Sequence, residues 1–154
     1  MMSEKKKSGM GKWRKPGGLE EEVFVSVLRT GDVLSRKVEG VLKAADISPT
    51  QYNVLRILRG AAEGLPCKEI GNRMISRDPD ITRLLDRLEK RKLISRKRET
   101  KDRRMVLTRI TDAGMKMLAE LDEPVLRAHW RTLGHLGEQK LGSLLKLLAE
   151  ARQG

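Results

Sequence analysis

The chain is 154 residues long and sets 33 lysines and arginines against 21 acidic residues, for a net charge of +12. That length holds one domain, or one domain plus helices that need a partner, and the charge favours a polyanionic partner. One cysteine excludes an intramolecular disulfide framework, two histidines leave too few ligands for a zinc site, and no apolar run reaches membrane-span length.

Residues 1–18 hold Lys5, Lys6, Lys7, Lys12, Arg14 and Lys15 against Glu4, with Trp13 as the one bulky aromatic residue. This stretch cannot bury enough to fold and is expected to be a basic, disordered arm, either tracking phosphates or simply solvated. No apolar core follows the lysines, so no secretory signal is visible and a cytoplasmic protein is expected. From Leu19 to about Ala45, Val23, Phe24, Val27, Leu28, Leu34, Val38, Val41 and Leu42 recur at helical spacing. A helix this long in so small a chain points to a partner subunit.

Ser48-Pro49-Thr50-Gln51 is a helix start with a capping box. The helix carries Tyr52, Val54, Leu55 and Leu58 and closes at Gly60 or Gly64. Leu65-Pro66 can add a minimal strand. Cys67 to Met74 is a short helix, and Ile75-Ser76-Arg77 turns into Asp78, expected to cap a second helix with Pro79 at its first position. Asp80 is left open between a base contact and a tuning role. Ile81, Leu84, Leu85 and Leu88 share one face, leaving Asp80, Thr82, Arg83 and Arg87 outside. This is a helix-turn-helix.

After Leu93 the period changes. Ile94 starts a strand and Met105–Ile110 returns as another. Between Ile94 and Ile110 seven basic residues oppose Glu99 and Asp102. A helix with a cationic outer face followed by a cationic hairpin is the layout of a winged helix, and it points to DNA. Thr111 caps a helix running to about Leu133, with a kink or break expected at Pro124. Gly137–Ala151 forms the last helix, with Leu141, Leu144, Leu145 and Leu148 on one stripe suited to burial between subunits. Cys67, beside Lys68 at a helix start, is read as a small half-buried residue rather than a redox sensor, and His129 and His135 as polar-face or interface residues and not metal ligands. There is no phosphate-binding glycine loop, clustered His/Asp/Glu set or nucleophile–base pair, so neither an enzyme nor a cofactor is expected.

The run from Ile81 to Gly114 resembles the MarR family of winged-helix regulators. The motif stands as Thr82-Arg83-Leu84-Leu85-Asp86-Arg87-Leu88-Glu89, Lys92-Leu93-Ile94-Ser95-Arg96, Asp102-Arg103-Arg104 and Ile110-Thr111-Asp112-Ala113-Gly114. Lys92 departs from the family glycine at a left-handed position, at a cost of roughly 1 kcal/mol. The first helix also lacks the cysteine of the family's peroxide sensors.

The resemblance implies a homodimer on a pseudo-palindromic double-stranded operator, with recognition helices in major grooves and wings in minor grooves. It places Thr82 and Arg83 on the DNA-facing side and Arg87 towards the backbone. Arg104 takes the wing-arginine position, held by an ion pair with Asp102. The candidate contacts are Ser76, Arg77, Asp80, Thr82, Arg83 and Arg87 on the helix-turn-helix. On the wing they are Arg96, Arg98, Lys101, Asp102, Arg103 and Arg104.

The expected fold is mainly α with a small β-hairpin. A winged helix-turn-helix head at 48–110 lies between dimerisation helices at 19–47 and 111–154. The expected function is a repressor-type transcriptional regulator modulated by a small lipophilic or phenolic effector. The alternative is an architectural or constitutive DNA-binding regulator without one.

Overall fold

A computed structural model describes Gly17–Gly154, so the expected arm over residues 1–18 lies almost wholly outside the described residues. The order is α1 (Leu19–Ala44), α2 (Pro49–Arg59), β1 (Leu65–Pro66), α3 (Cys67–Arg73) and α4 (Ile81–Lys90), followed by β2 (Ile94–Arg98), β3 (Val106–Ile110), α5 (Asp112–Leu133) and α6 (Gly137–Ala151). A single 3₁₀ turn at Gly134–Leu136 joins the last two helices. Contacts divide the described residues into two units, one ending at Val33 and one running from Leu34 to Gly154. Among the described residues no helix is long and apolar enough to cross a membrane.

The second unit holds the core. Leu55 and Leu58 from α2, Ile70 from α3, Leu85 and Leu88 from α4 and Leu118 from α5 are all essentially inaccessible, with Leu42 of α1 against them. Each comes from a helical apolar stripe, so burying the stripes together draws α2 to α5 around one centre. The sheet is antiparallel in the order β1-β3-β2. Leu65 pairs with Thr108, and the hairpin runs from Ile94↔Ile110 to Arg98↔Val106. Met105, expected within the strand, lies just outside it, although its carbonyl accepts the Glu99 N–H at 2.8 Å.

Local chemistry sets the helix ends. The Ser48 capping box forms as expected: Gln51 N–H donates to Ser48 Oγ at 3.2 Å and Ser48 N–H to Gln51 Oε1 at 3.1 Å. Gly60 closes α2, whereas Gly64, at φ +85°, serves the turn into β1. Two expectations are corrected at α4. Its cap is Asp80, not Asp78, because the helical ladder begins with Leu84 N–H donating to Asp80 O. Pro79 therefore stands before the helix and not at its first position. α5 runs unbroken past Pro124, which removes one donor without ending a helix anchored by Leu118, Leu121 and Val125.

α5 is also tied to α2 by Arg59, whose Nη1 donates to Asp122 Oδ1 at 2.9 Å and Oδ2 at 2.8 Å. The hydrogen bond raises the Arg59 pKa and holds the Asp122 carboxyl below its ordinary value.

Candidate nucleic-acid interface

α4 buries Leu84, Leu85 and Leu88 and exposes Thr82, Arg83 and Arg87. The 3.6-residue period that seats it in the core thus presents its cationic face outward. Ser76 and Arg77, in the turn before it, are exposed as well. That turn is held from behind, where Asn53 Oδ1 on α2 accepts the Ile75 N–H at 2.9 Å. Sequence reasoning missed Asn53. Its signal is a polar residue set between the buried Tyr52 and Val54.

The start of α4 is built from two aspartates in series. Asp78 Oδ1 accepts the Asp80 N–H at 2.8 Å, and Asp80 Oδ1 accepts the Arg83 N–H at 3.2 Å. Both carboxylates lie at the positive end of the helix dipole. Asp80 Oδ2 also stands 3.1 Å from Arg83 Nε.

The hairpin projects its tip beyond the core, and Arg98, Lys101, Asp102, Arg103 and Arg104 are exposed there. Arg98 Nη1 reaches back to Arg103 O at 3.3 Å. Asp102 holds Arg104 through the main chain: the Arg104 N–H donates to Asp102 Oδ1 at 3.0 Å. This turn bond replaces the side-chain ion pair expected from the sequence. At a separation of two residues, an aspartate closes most readily on the backbone.

Arg96 behaves differently from the other wing arginines. Its Nε donates to Glu89 Oε2 at 2.8 Å, and its Nη2 lies 2.5 Å from both Glu89 Oε2 and Asp86 Oδ1. The Arg96 N–H adds a bond to Glu89 Oε1 at 3.2 Å. The hydrogen bond that Arg96 donates to Glu89, reinforced by the one to Asp86, raises the Arg96 pKa. This guanidinium is occupied inside the chain, where it clasps β2 to α4.

One further tie steadies the same region. Arg91 Nη1 donates to Asp46 O at 2.5 Å, joining the end of α4 to the α1–α2 turn. Lys92 adopts φ +60°, the left-handed conformation expected at its position. Cys67 is a free, half-buried thiol, and no group of three metal-ligating side chains occurs among the described residues.

The geometry is that of a helix-turn-helix with a basic wing, and the model of the MarR family matches residues 47–106. A crystal structure of a MarR transcription factor from Planctomyces limnophilus is 38% identical, covering 88% of this chain and 98% of that one, with a TM-score of 0.67. The chain belongs to the MarR family. The HTH-type transcriptional regulator FarR of Neisseria gonorrhoeae is 29% identical over 83% of this chain and 87% of its own. The transcriptional repressor CouR, solved bound to a 23-mer DNA duplex, is 27% identical over 92% of this chain and 99% of its own, with a TM-score of 0.79. As a MarR-family protein the chain is a DNA-binding transcriptional regulator and not an enzyme.

Proposed function

We propose that this MarR-family chain is a dimeric, sequence-specific repressor whose hold on a pseudo-palindromic operator is relaxed by a small effector. The observation that carries the reading is the pairing of α4 with its wing. Thr82, Arg83 and Arg87 face solvent on one helix, and Arg96 ties to that helix the strand that leads to the exposed Arg98–Arg104 tip. Guanidinium groups on such a helix suit guanine edges in a major groove, and arginines on such a tip suit the negative potential of a narrow minor groove. Residues 48–110 would then form the reading head.

Dimerisation is supported in each unit by uncovered apolar side chains. In the first unit Phe24 is 64% exposed, and in the second Trp130 is 72% and Leu145 is 68% exposed. A lone chain rarely leaves so many large apolar residues in water. We assign residues 19–47 and 111–154 to subunit pairing. The effector reading draws on a cavity of about 500 Å³ between Val41 of α1 and Ala119, Pro124 and Ala128 of α5, whose wall also carries Glu120, Glu123, Arg127 and Arg131. Its apolar patch suits a small lipophilic compound, and with Arg127 paired to Glu123, Arg131 is the cation that could meet a phenolic or acidic oxygen. Filling it would move α5, and with it the heads, shifting operator affinity by differential binding to the two states.

The test is selection from a randomised duplex pool at near-physiological salt, followed by titration of phenolic acids into the complex. An inverted repeat with half-sites about one helical turn apart, released by an acid, is the expected result. A repeat that no compound releases removes the effector, and enrichment of no motif removes the sequence-specific reading.

A further inference from the structure

Asp80 engages one neighbour with both carboxylate oxygens. Oδ1 accepts the Arg83 main-chain N–H at 3.2 Å and so caps α4, while Oδ2 lies 3.1 Å from Nε of the same arginine. Asp78 steadies the holder, its own Oδ1 accepting the Asp80 N–H at 2.8 Å. The Arg83 side chain is 77% exposed on the outer face of the helix, so packing does not set its direction. An arginine anchored through Nε still has the two terminal nitrogens free, and these form the planar fork that matches O6 and N7 of one guanine.

We infer that Asp80 is a positioning residue for DNA reading, aiming the Arg83 fork at a guanine edge in the major groove without touching a base itself. The inference rests on the reading of α4 as the groove-entering helix. Two physical consequences follow from the geometry. An unheld arginine is spread over many rotamers, and ordering it at the base weakens binding; Asp80 orders it beforehand. A carboxylate at the tip of the reading helix also repels every duplex, and only a guanine that engages Arg83 offsets that repulsion. Asp80 therefore sharpens discrimination from both sides, strengthening the matched contact and weakening the unmatched ones.

The test uses the duplex enriched from a random pool by the unaltered protein, together with duplexes in which each guanine is replaced in turn by adenine. Five proteins are compared: the unaltered chain, Asp80→Asn, Asp80→Ser, Arg83→Ala, and Asp80→Asn combined with Arg83→Ala. Asparagine and serine both cap helices, so α4 survives, but neither offers a charged second oxygen to Nε.

For the unaltered protein, one guanine should matter by about tenfold to a hundredfold. Arg83→Ala should abolish that preference. Each Asp80 variant should weaken it by about fivefold or more while preferences at other base pairs persist and binding to random duplex tightens. The double variant should discriminate no worse than Arg83→Ala alone, because the two residues act through one contact.

Full guanine preference in both Asp80 variants, with Arg83→Ala losing it, overturns the positioning role and leaves α4 as the reader. A uniform loss at every base pair makes Asp80 a cap only and likewise overturns it. An unchanged preference in Arg83→Ala, or a pool with no preferred sequence, overturns both this inference and the reading of α4.

Discussion

The Thr111 hydroxyl donates a 2.7 Å hydrogen bond to the carbonyl of Lys92, a lysine held at φ +60°. The same oxygen accepts the Gly114 N–H at 3.2 Å, so one side chain both caps α5 and pins the exit from α4. Replacing Lys92 with glycine should stabilise the protein. Relief of left-handed strain is worth about 1–2 kcal/mol, and the freer unfolded chain offsets about 0.4–1 kcal/mol of it. A higher urea midpoint at unchanged slope is the expected result; a lower midpoint would show that Lys92 makes contacts worth more than the strain.

Gly114 should tolerate no side chain. A Cβ there would run into the Leu93 carbonyl and lie 2.7 Å from Ile110 Cγ1. The first obstacle is backbone, held in place by the Thr111 N–H donating to Leu93 O at 3.1 Å. Gly114→Ala should therefore cost about 2–3 kcal/mol, read by urea or thermal unfolding. A neutral result would mean that α5 can slide away from the wing.

Arg96 and Arg104 should fail in different ways. Arg104→Ala removes an exposed cation, so operator binding should weaken and its salt dependence should become shallower. Arg96→Ala removes the clasp to Glu89 and Asp86, and should cost about 1–2 kcal/mol of stability for a partly buried charged network. Operator affinity should then drop through a misplaced wing while the salt slope stays the same. Matching salt slopes for the two variants would return Arg96 to the phosphate contacts.

Asp122 gives the pH signature. Its carboxyl, hydrogen-bonded by Arg59, titrates below the ordinary value of 3.8. A depressed acid stabilises the fold fully above the unfolded-state pKa, and the contribution is lost as pH falls through the lower folded-state value. Asp122 is 48% exposed, so solvent screens the pair and Asp122→Asn should cost about 0.5–1 kcal/mol at neutral pH. Unfolding measured from pH 7 to pH 2 should show the two proteins converging at the acid end. A constant gap would assign the loss to packing and not to charge.

Much of the fold was legible because its signals are local. The capping box at Ser48, the 3.6-residue period of α4, the change of period after Leu93 and the Thr111 cap each depend on a few neighbouring residues. The family motif fell on the same stretch. So did the left-handed turn at Lys92, since a residue type standing where glycine is usual marks a conformation and not a contact.

What remained for the tertiary structure was the choice among chemically equal partners. Asp78 and Asp80 are both able to cap, and only the course of the chain around Pro79 makes Asp80 the one whose carbonyl begins the helical ladder. Arg96 reads as one more wing cation until β2 lies against α4 and brings Glu89 and Asp86 within reach. Asn53 stands out in the sequence only as a polar residue between apolar ones, and its partner, the Ile75 N–H 22 residues away, is fixed by the fold. Periodicity and capping are decided within one or two helical turns. Which carboxylate an arginine meets, and whether that arginine is left free for DNA, depends on distances that exist only once the core has closed.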